Sequence, residues 1–195
     1  DVYKRQLVGY PRIVWRLGEE PARDRRIAEL TVTLRRRARG SAQSYRELLD
    51  PASTLHELRL VKSEAELTLM RRAGEVAAEA HRRAMAFTKP GRNEREVEAL
   101  LDAHYRSAGC DGAAYGNIVA GGPNACILHY VENDMDLHGG DLLLVDSGCE
   151  WRHYASDITR TWPVDGKFTP EQRALYDVVH DALIAATQAV QPGQR

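Results

Sequence analysis

The amino-acid sequence predicts an α+β fold, with helices and an antiparallel sheet in separate stretches of the chain. Residues 63–107 carry apolar side chains at helical spacing, and the periodicity changes from helical to extended after Gly109. Short segments rich in β-forming residues follow as far as Trp162, and another helical pattern begins at Thr169.

The composition is that of an ordinary globular protein. The chain has 195 residues, with 27 Lys and Arg against 28 Asp and Glu and 43% apolar residues, which excludes a disordered, collagenous or coiled-coil chain. At about 100 to 200 residues per domain, this length allows one complete domain or two partial ones. The longest aliphatic run, Leu142–Val145, is too short to span a membrane, so we expect no membrane partner.

Cysteine usage indicates a reducing compartment. The three cysteines, Cys110, Cys126 and Cys149, form no CxxC motif and leave an odd number. The N-terminus also lacks the basic-then-apolar segment of a signal peptide. We therefore expect a cytoplasmic protein, because disulfide-built proteins belong to oxidising compartments.

The first fifty residues differ from the rest in charge. They carry 12 basic and 7 acidic side chains, whereas the remaining residues carry 15 and 21. The arginine-rich run at 34–39 has no interleaved aromatic residues, so we interpret it as a solvated helix end and expect no nucleic-acid partner. The change in charge and pattern places a domain boundary near residues 55–62, and we divide the chain into 1–58 and 59–195.

The part before this boundary predicts the end of a small α/β unit. A short apolar run at 13–15 is typical of a strand, and residues 21–39 have helical spacing that ends at Gly40. A loop rich in Ser, Asp and Pro is expected from Gly40 to about Thr54.

Three helices after the boundary are predicted from their first residues. Ser63 with Glu66, and Asn93 with Glu96, form capping boxes, and Thr169 precedes Pro170 and a capping Gln172. The first of these helices has an apolar or small stripe that comprises Leu67, Met70, Gly74, Ala77, Ala78, His81, Ala84 and Met85. The last has a stripe that comprises Leu175, Val178, Val179, Ala182, Leu183, Ala186, Ala189 and Val190. Such stripes mark faces that pack against a core.

The first and last of these helices resemble each other. Both end in Pro-Gly, and a shift of 102 residues aligns Val76, Ala80 and Ala84 with an equivalent Val and two Ala residues. We interpret this as the start of a second copy of one helix, Pro-Gly, helix, sheet unit. The alternative is that two amphipathic helices merely share an ending.

The strands are predicted at 117–120, 126–131, 141–149 and 154–162, as an antiparallel sheet. If the chain reverses near Trp151 and Arg152, Asp146 lies directly opposite Asp157. Facing carboxylates repel unless a cation or a shared proton bridges them. Hard oxygen ligands suit Mn²⁺, Co²⁺, Zn²⁺ or Mg²⁺. The alternative is that one aspartate points to solvent or caps a turn.

The run from Cys126 to Asn133, followed by Gly140-Asp141-Leu142, Val145-Asp146-Ser147-Gly148 and residues 156–161, closely resembles the aminopeptidase P (Xaa-Pro aminopeptidase) branch of the pita-bread metallopeptidases. His129 lies 17 residues before Asp146, and Asp157 lies 11 residues after it, as in that family. The likeness extends from about His56 to Arg195.

The resemblance implies the first half of a pita-bread (creatinase/aminopeptidase-like) fold, preceded by the end of an α/β N-terminal domain. It implies two divalent ions, most often Mn²⁺ with Co²⁺ or Zn²⁺ as alternatives, and Asp146 and Asp157 match two of the metal ligands. His129 matches a histidine that hydrogen-bonds the reacting peptide. The implied reaction removes the N-terminal residue from peptides with proline in second position, and the full-length protein is expected to form homo-oligomers.

The family draws a further histidine and two glutamates from the second half of its domain, and that half would begin where this sequence stops. We therefore expect the chain alone to be inactive. The alternative functions are those of a prolidase, which cleaves Xaa-Pro dipeptides, and of a non-catalytic pita-bread module that binds peptides. Methionine aminopeptidase is disfavoured by the N-terminal segment, and metal-free creatinase relatives are disfavoured by the two aspartates.

Overall fold

The structure is a computed structural model that describes residues 11–37 and 47–194. It divides into two compact units, Asp1–Lys62 and Ser63–Arg195. The boundary predicted after residue 58 falls inside a helix of the first unit. Among the described residues, no helix combines the length and apolar character that a membrane crossing requires.

The first unit contains two short parallel strands and two helices. These are β1 (Arg12–Val14), α1 (Pro21–Arg37), β2 (Glu47–Leu49) and α2 (Ala52–Leu60). β1 pairs with β2 in parallel, with Ile13 opposite Leu48. The predicted strand and helix are confirmed, whereas β2 and α2 occupy residues assigned to a loop and a boundary. Residues 38–46, with the predicted helix end and much of that loop, lie outside the described residues.

The second unit confirms the predicted α+β arrangement. Two helices come first, strands follow, and a helix closes the unit. The elements are α3 (Glu64–Phe87), α4 (Glu94–Ser107), β3 (Gly112–Ala113), β4 (Ile118–Gly121), a 3₁₀ helix (Gly122–Cys126), β5 (Leu142–Ser147), β6 (Cys149–Trp151), β7 (Tyr154–Ala155), β8 (Ile158–Pro163) and α5 (Pro170–Ala189). The strands form two antiparallel sheets, ordered β3-β6-β7 and β4-β5-β8.

All three predicted capping boxes are present, at Ser63, Asn93 and Thr169. The predicted buried stripe of α3 is only partly right. Met70 and Met85 are exposed, and the residues that face the core are Ala73, Val76, Ala77, Ala80, His81 and Ala84. Alanines dominate this face because small side chains let α4 and the sheet approach the helix closely.

The predicted strand at 126–131 is wrong. A 3₁₀ helix ends at Cys126, and the chain then runs without regular structure, with His129 in the left-handed region at φ 56°. Residues 126–131 pair with no neighbouring strand, and the Tyr130 hydroxyl instead donates to the Glu94 carboxylate at 2.7 Å. Long-range side-chain contacts therefore override the local β propensity of this segment.

Helix α5 has the predicted apolar stripe but buries none of it. Val178 is 67% exposed, whereas its counterpart in the 102-residue alignment, Val76, is 4% exposed in the core. The two helices therefore share a pattern and differ in environment. The internal repeat itself stays a prediction.

Candidate metal centre

The β5-β8 hairpin that carries the two aspartates differs in register from the prediction. Asp146 lies opposite Thr159, not opposite Asp157. The chain reverses at Arg152 and His153, which have φ values of 50° and 70°, as a two-residue type I′ turn requires. The turn is centred one residue later than predicted, which moves every partner by two. A shift of two keeps the same face, because side chains alternate along a strand.

The two aspartates nevertheless meet, because one side chain touches both. The Tyr115 hydroxyl is 2.6 Å from Asp146 Oδ1 and 3.0 Å from Asp157 Oδ1. Tyr115 lies between β3 and β4, so a third segment closes the site across the hairpin. The carboxylates are therefore diagonal neighbours that share one donor.

Gly148, between β5 and β6, makes this approach possible. A Cβ atom at this position would lie 1.7 Å from the carbonyl oxygen of Ser156, which is an impossible contact. The Ser156 hydroxyl oxygen in turn accepts from the amide of Cys149 at 3.0 Å. Glycine is thus required for the residue before Asp157 to pack against the strand that carries Asp146.

A buried polar chain lies on the other face of β5. The Ser147 hydroxyl donates to Asn117 Oδ1 at 2.6 Å, and Asn117 Nδ2 donates to Asp102 Oδ1 at 2.8 Å. Because the Ser147 hydroxyl has only one proton, the Tyr105 hydroxyl, 2.6 Å away, must donate to it. Burial raises the pKa of Tyr105 to about 12, which keeps this donor protonated. These hydrogen bonds attach β5, the strand that carries Asp146, to α4 through the face of the strand opposite Asp146.

The electrostatics of the aspartate pair leave negative charge unbalanced. Burial, and then hydrogen bonds to Asp146 and Asp157, raise the pKa of Tyr115, so its hydroxyl stays a neutral donor. No ion pair joins either aspartate to a basic residue within the described part of the chain. The described residues also contain no group of three or more metal-ligating side chains. Two oxygen ligands without a cationic partner fit a divalent ion, and they make up only part of a coordination sphere.

His129, the predicted catalytic residue, lies apart from this pair in the irregular segment. It is exposed, and no hydrogen bond links it to either aspartate in the described structure. Its neighbour Tyr130 is buried, with 4% of its surface exposed. The structure therefore brings the two aspartates together and presents His129 to solvent from a separate loop.

Sequence reasoning missed Tyr115 and Glu94. Glu94 is 0% exposed and is the first residue of α4. Its carboxylate accepts from the amides of Gly121 and Met135 and from the side chains of Asn124 and Tyr130. As a first-turn glutamate it looked like an ordinary helix-start residue. No local signal distinguished Tyr115, because its partners lie 31 and 42 residues away.

The helix-and-sheet unit carries a pair of aspartates that could ligate a metal ion, and comparison with known proteins gives the class. The model of metallopeptidase family M24 matches residues 68–195, and the chain belongs to this family. That finding agrees with the pita-bread fold that the sequence motifs implied.

The relatives at high identity are aminopeptidases. The Xaa-Pro aminopeptidase of Escherichia coli is 42% identical over 160 residues, which cover 82% of this chain and 36% of that protein. The structure of Pseudomonas aeruginosa aminopeptidase PepP matches with a TM-score of 0.94 and 45% identity, over 98% of this chain and 43% of that one. Zinc-substituted E. coli aminopeptidase P with product bound matches with a TM-score of 0.94 and 38% identity, over the same shares. The chain thus spans about two fifths of the length of these relatives.

Proposed function

We propose that this chain is part of a metal-dependent aminopeptidase that removes the N-terminal residue from peptides with proline in second position. The observation that carries the proposal is the Asp146 and Asp157 pair, which shares a single neutral donor and forms no ion pair with a basic side chain among the described residues. Membership of family M24 and the sequence identity to Xaa-Pro aminopeptidases support the same proposed function.

In this proposal Asp146 and Asp157 hold two divalent ions, with Mn²⁺ as the first choice and Co²⁺ or Zn²⁺ as alternatives. Such ions, when bound, lower the pKa of water and polarise a carbonyl oxygen. The chain's own contribution is to hold both carboxylates on one face of a rigid hairpin, with Tyr115 donating to them. Because two carboxylates leave most coordination positions open, activity belongs to a polypeptide that also supplies the remaining ligands.

We assign His129 the role of a hydrogen-bond partner for the substrate's reacting peptide. Its exposure and its left-handed backbone support the assignment, since backbone strain of this kind is retained where the surroundings enforce it and clusters at functional sites. A neutral imidazole can donate to a developing oxyanion near neutral pH.

The test uses the full-length protein expressed from the open reading frame that contains residues 1–195. We expect Mn²⁺-dependent release of the first residue from an Xaa-Pro-Yaa tripeptide, and no release by residues 1–195 alone. Asp146→Asn and Asp157→Asn should abolish turnover. The matched control is Asp177→Asn, an aspartate on α5 that forms an ion pair with Arg173 on the same helix, and it should leave turnover unchanged.

Four results would overturn the proposal. Full turnover after chelation, or in the Asp146→Asn protein, would remove the metal role of this pair. Cleavage of Xaa-Pro dipeptides but not of tripeptides would make the protein a prolidase, and peptide binding without any cleavage would make it a binding module.

We also propose a cytoplasmic location and self-association of the full-length protein. The location is supported by the three cysteines, all of which are free. Fractionation of cells and light scattering of the purified full-length protein would test the two statements separately.

A further inference from the structure

We infer that Glu94 is the positioning residue that fixes the segment 122–135, and with it His129. The inference concerns the conformation of this segment, and it rests on the proposed function only for the role of His129. Glu94 contacts neither aspartate and lies on a different element from His129.

The first support is the saturation of its carboxylate. Oε1 accepts from the amide of Gly121 at 2.7 Å and from Asn124 Nδ2 at 3.0 Å. Oε2 accepts from the Tyr130 hydroxyl at 2.7 Å and from the amide of Met135 at 3.0 Å. Two donors precede His129 in the chain and two follow it, so one carboxylate ties both arms of the segment together.

The second support is that side-chain contacts, not regular secondary structure, define the shape of the segment after Cys126. After the 3₁₀ helix ends at Cys126, no strand or helix occurs until β5. His129 and Asn133 both have positive φ, at 56° and 47°, and such backbone persists only where contacts enforce it. Asn133 supplies a further clamp, because its side chain bonds to the backbone of Asn117 and of Val119.

The third support is that Glu94 lies at the rigid start of helix α4. Glu94 follows the N-cap residue Asn93, whose capping box with Glu96 is complete. The Glu94 amide also donates to the carbonyl of Met135 at 2.9 Å, so these two residues exchange two hydrogen bonds. A residue at the start of a packed helix can hold a loop more precisely than another loop residue can.

Glu94→Gln in the complete protein tests the inference. The amide keeps the shape of the side chain but replaces one accepting oxygen with an NH₂ group, which cannot accept the hydrogen bonds that this oxygen received. We expect kcat to fall roughly a hundredfold, as for a misplaced catalytic group, with KM and Mn²⁺ affinity unchanged. Amide hydrogen exchange should rise about tenfold in residues 122–135 and stay unchanged elsewhere. Glu98→Gln is the matched control on the same helix, because Glu98 makes no hydrogen bond or ion pair in the described structure, and it should change none of these.

A double-mutant cycle with His129→Ala separates positioning from general destabilisation. If Glu94 acts through His129, Glu94→Gln should reduce kcat no further once His129 is removed. Additive losses, a weaker Mn²⁺ affinity or unchanged exchange in 122–135 would overturn the inference. If Glu94→Gln does not fold, Tyr130→Phe removes one donor and should show the same pattern with a smaller amplitude.

The cycle also tests the proposed role of His129 separately from the positioning role of Glu94. If His129→Ala leaves kcat unchanged, the role proposed for His129 fails. The exchange measurement then decides on Glu94 alone: faster exchange confined to 122–135 supports it, and unchanged exchange rejects it.

Discussion

Glu94 and the Asp146/Asp157 pair are both carboxylate centres, and the number of donors around them differs sharply. The single carboxylate of Glu94 is fully buried and receives four hydrogen bonds from neutral groups. The two aspartates are half-buried and exposed, respectively, and share one hydroxyl. A carboxylate whose acceptor sites are filled by the protein stabilises the fold, whereas a pair left short of donors is available to a cation.

Glu94→Ala should have the largest effect on stability. It removes the acceptor of four buried or part-buried donors, and at about 1 to 3 kcal/mol for each such group we expect a loss of roughly 4 kcal/mol or more. Urea unfolding measures this, with Glu75→Ala on the exposed face of α3 as a control that should change stability by less than about 0.5 kcal/mol. A loss as small as that of the control would show that Glu94 is not the structural centre described above.

Gly148→Ala comes second and acts on the aspartate pair through packing. The new Cβ would meet the Ser156 carbonyl, and we expect a loss of roughly 1 to 3 kcal/mol together with weaker Mn²⁺ binding. Gly74→Ala is the matched control, because nothing lies within 4 Å of a Cβ at that helical position. It should stabilise the protein by about 0.5 to 1 kcal/mol. Unchanged metal affinity in Gly148→Ala would separate this glycine from the site.

Alkaline pH should weaken the Glu94 centre. Burial and the hydrogen bond to Glu94 raise the pKa of Tyr130 from 10.0 to about 12. Since the unfolded state loses this proton first, the stability contributed by Tyr130 is complete below pH 10 and is lost as pH rises from 10 to about 12. Unfolding of wild type and Tyr130→Phe across this range checks it. Tyr105 also has a raised pKa, but it is present in both proteins and its contribution cancels in the comparison. Curves of unfolding free energy against pH that are parallel for the two proteins would contradict the prediction.

Asp146→Asn should have the smallest effect on stability. Replacing one of two adjacent carboxylates removes repulsion, so we expect the metal-free protein to change by less than about 0.5 kcal/mol or to become slightly more stable. Thermal unfolding with and without Mn²⁺ should show that the metal-dependent increase in Tm is lost. A large destabilisation without metal would place Asp146 in the same class as Glu94 and would break the comparison.

Local chemistry was sufficient to predict the three helices with capping boxes and the hairpin. The capping boxes at Ser63, Asn93 and Thr169 involve residues three apart, and each is present. The hairpin was foreseen, but its turn uses Arg152 and His153 at positive φ, where glycine or asparagine is the usual signal. The register was therefore misjudged, while the shared face of the aspartates was not.

Longer-range chemistry accounts for what the sequence did not reveal. Residues 126–131 look like a strand in isolation, and their shape instead depends on Glu94, which lies more than thirty residues earlier in the chain. Tyr115 likewise joins aspartates that are distant in sequence. Contacts of this kind depend on the packed fold, and no local period or propensity encodes them.

The bare stripe of α5 has a practical consequence for anyone who produces residues 1–195 as a recombinant polypeptide. Leu175, Val178 and Val179 each expose more than 60% of their surface on one helix. A contiguous apolar patch of this kind attracts chaperones, hydrophobic dyes and other copies of the same chain. Such a preparation is expected to elute late from apolar resins and to precipitate with kosmotropic salt, and dilute, low-salt buffers suit it best.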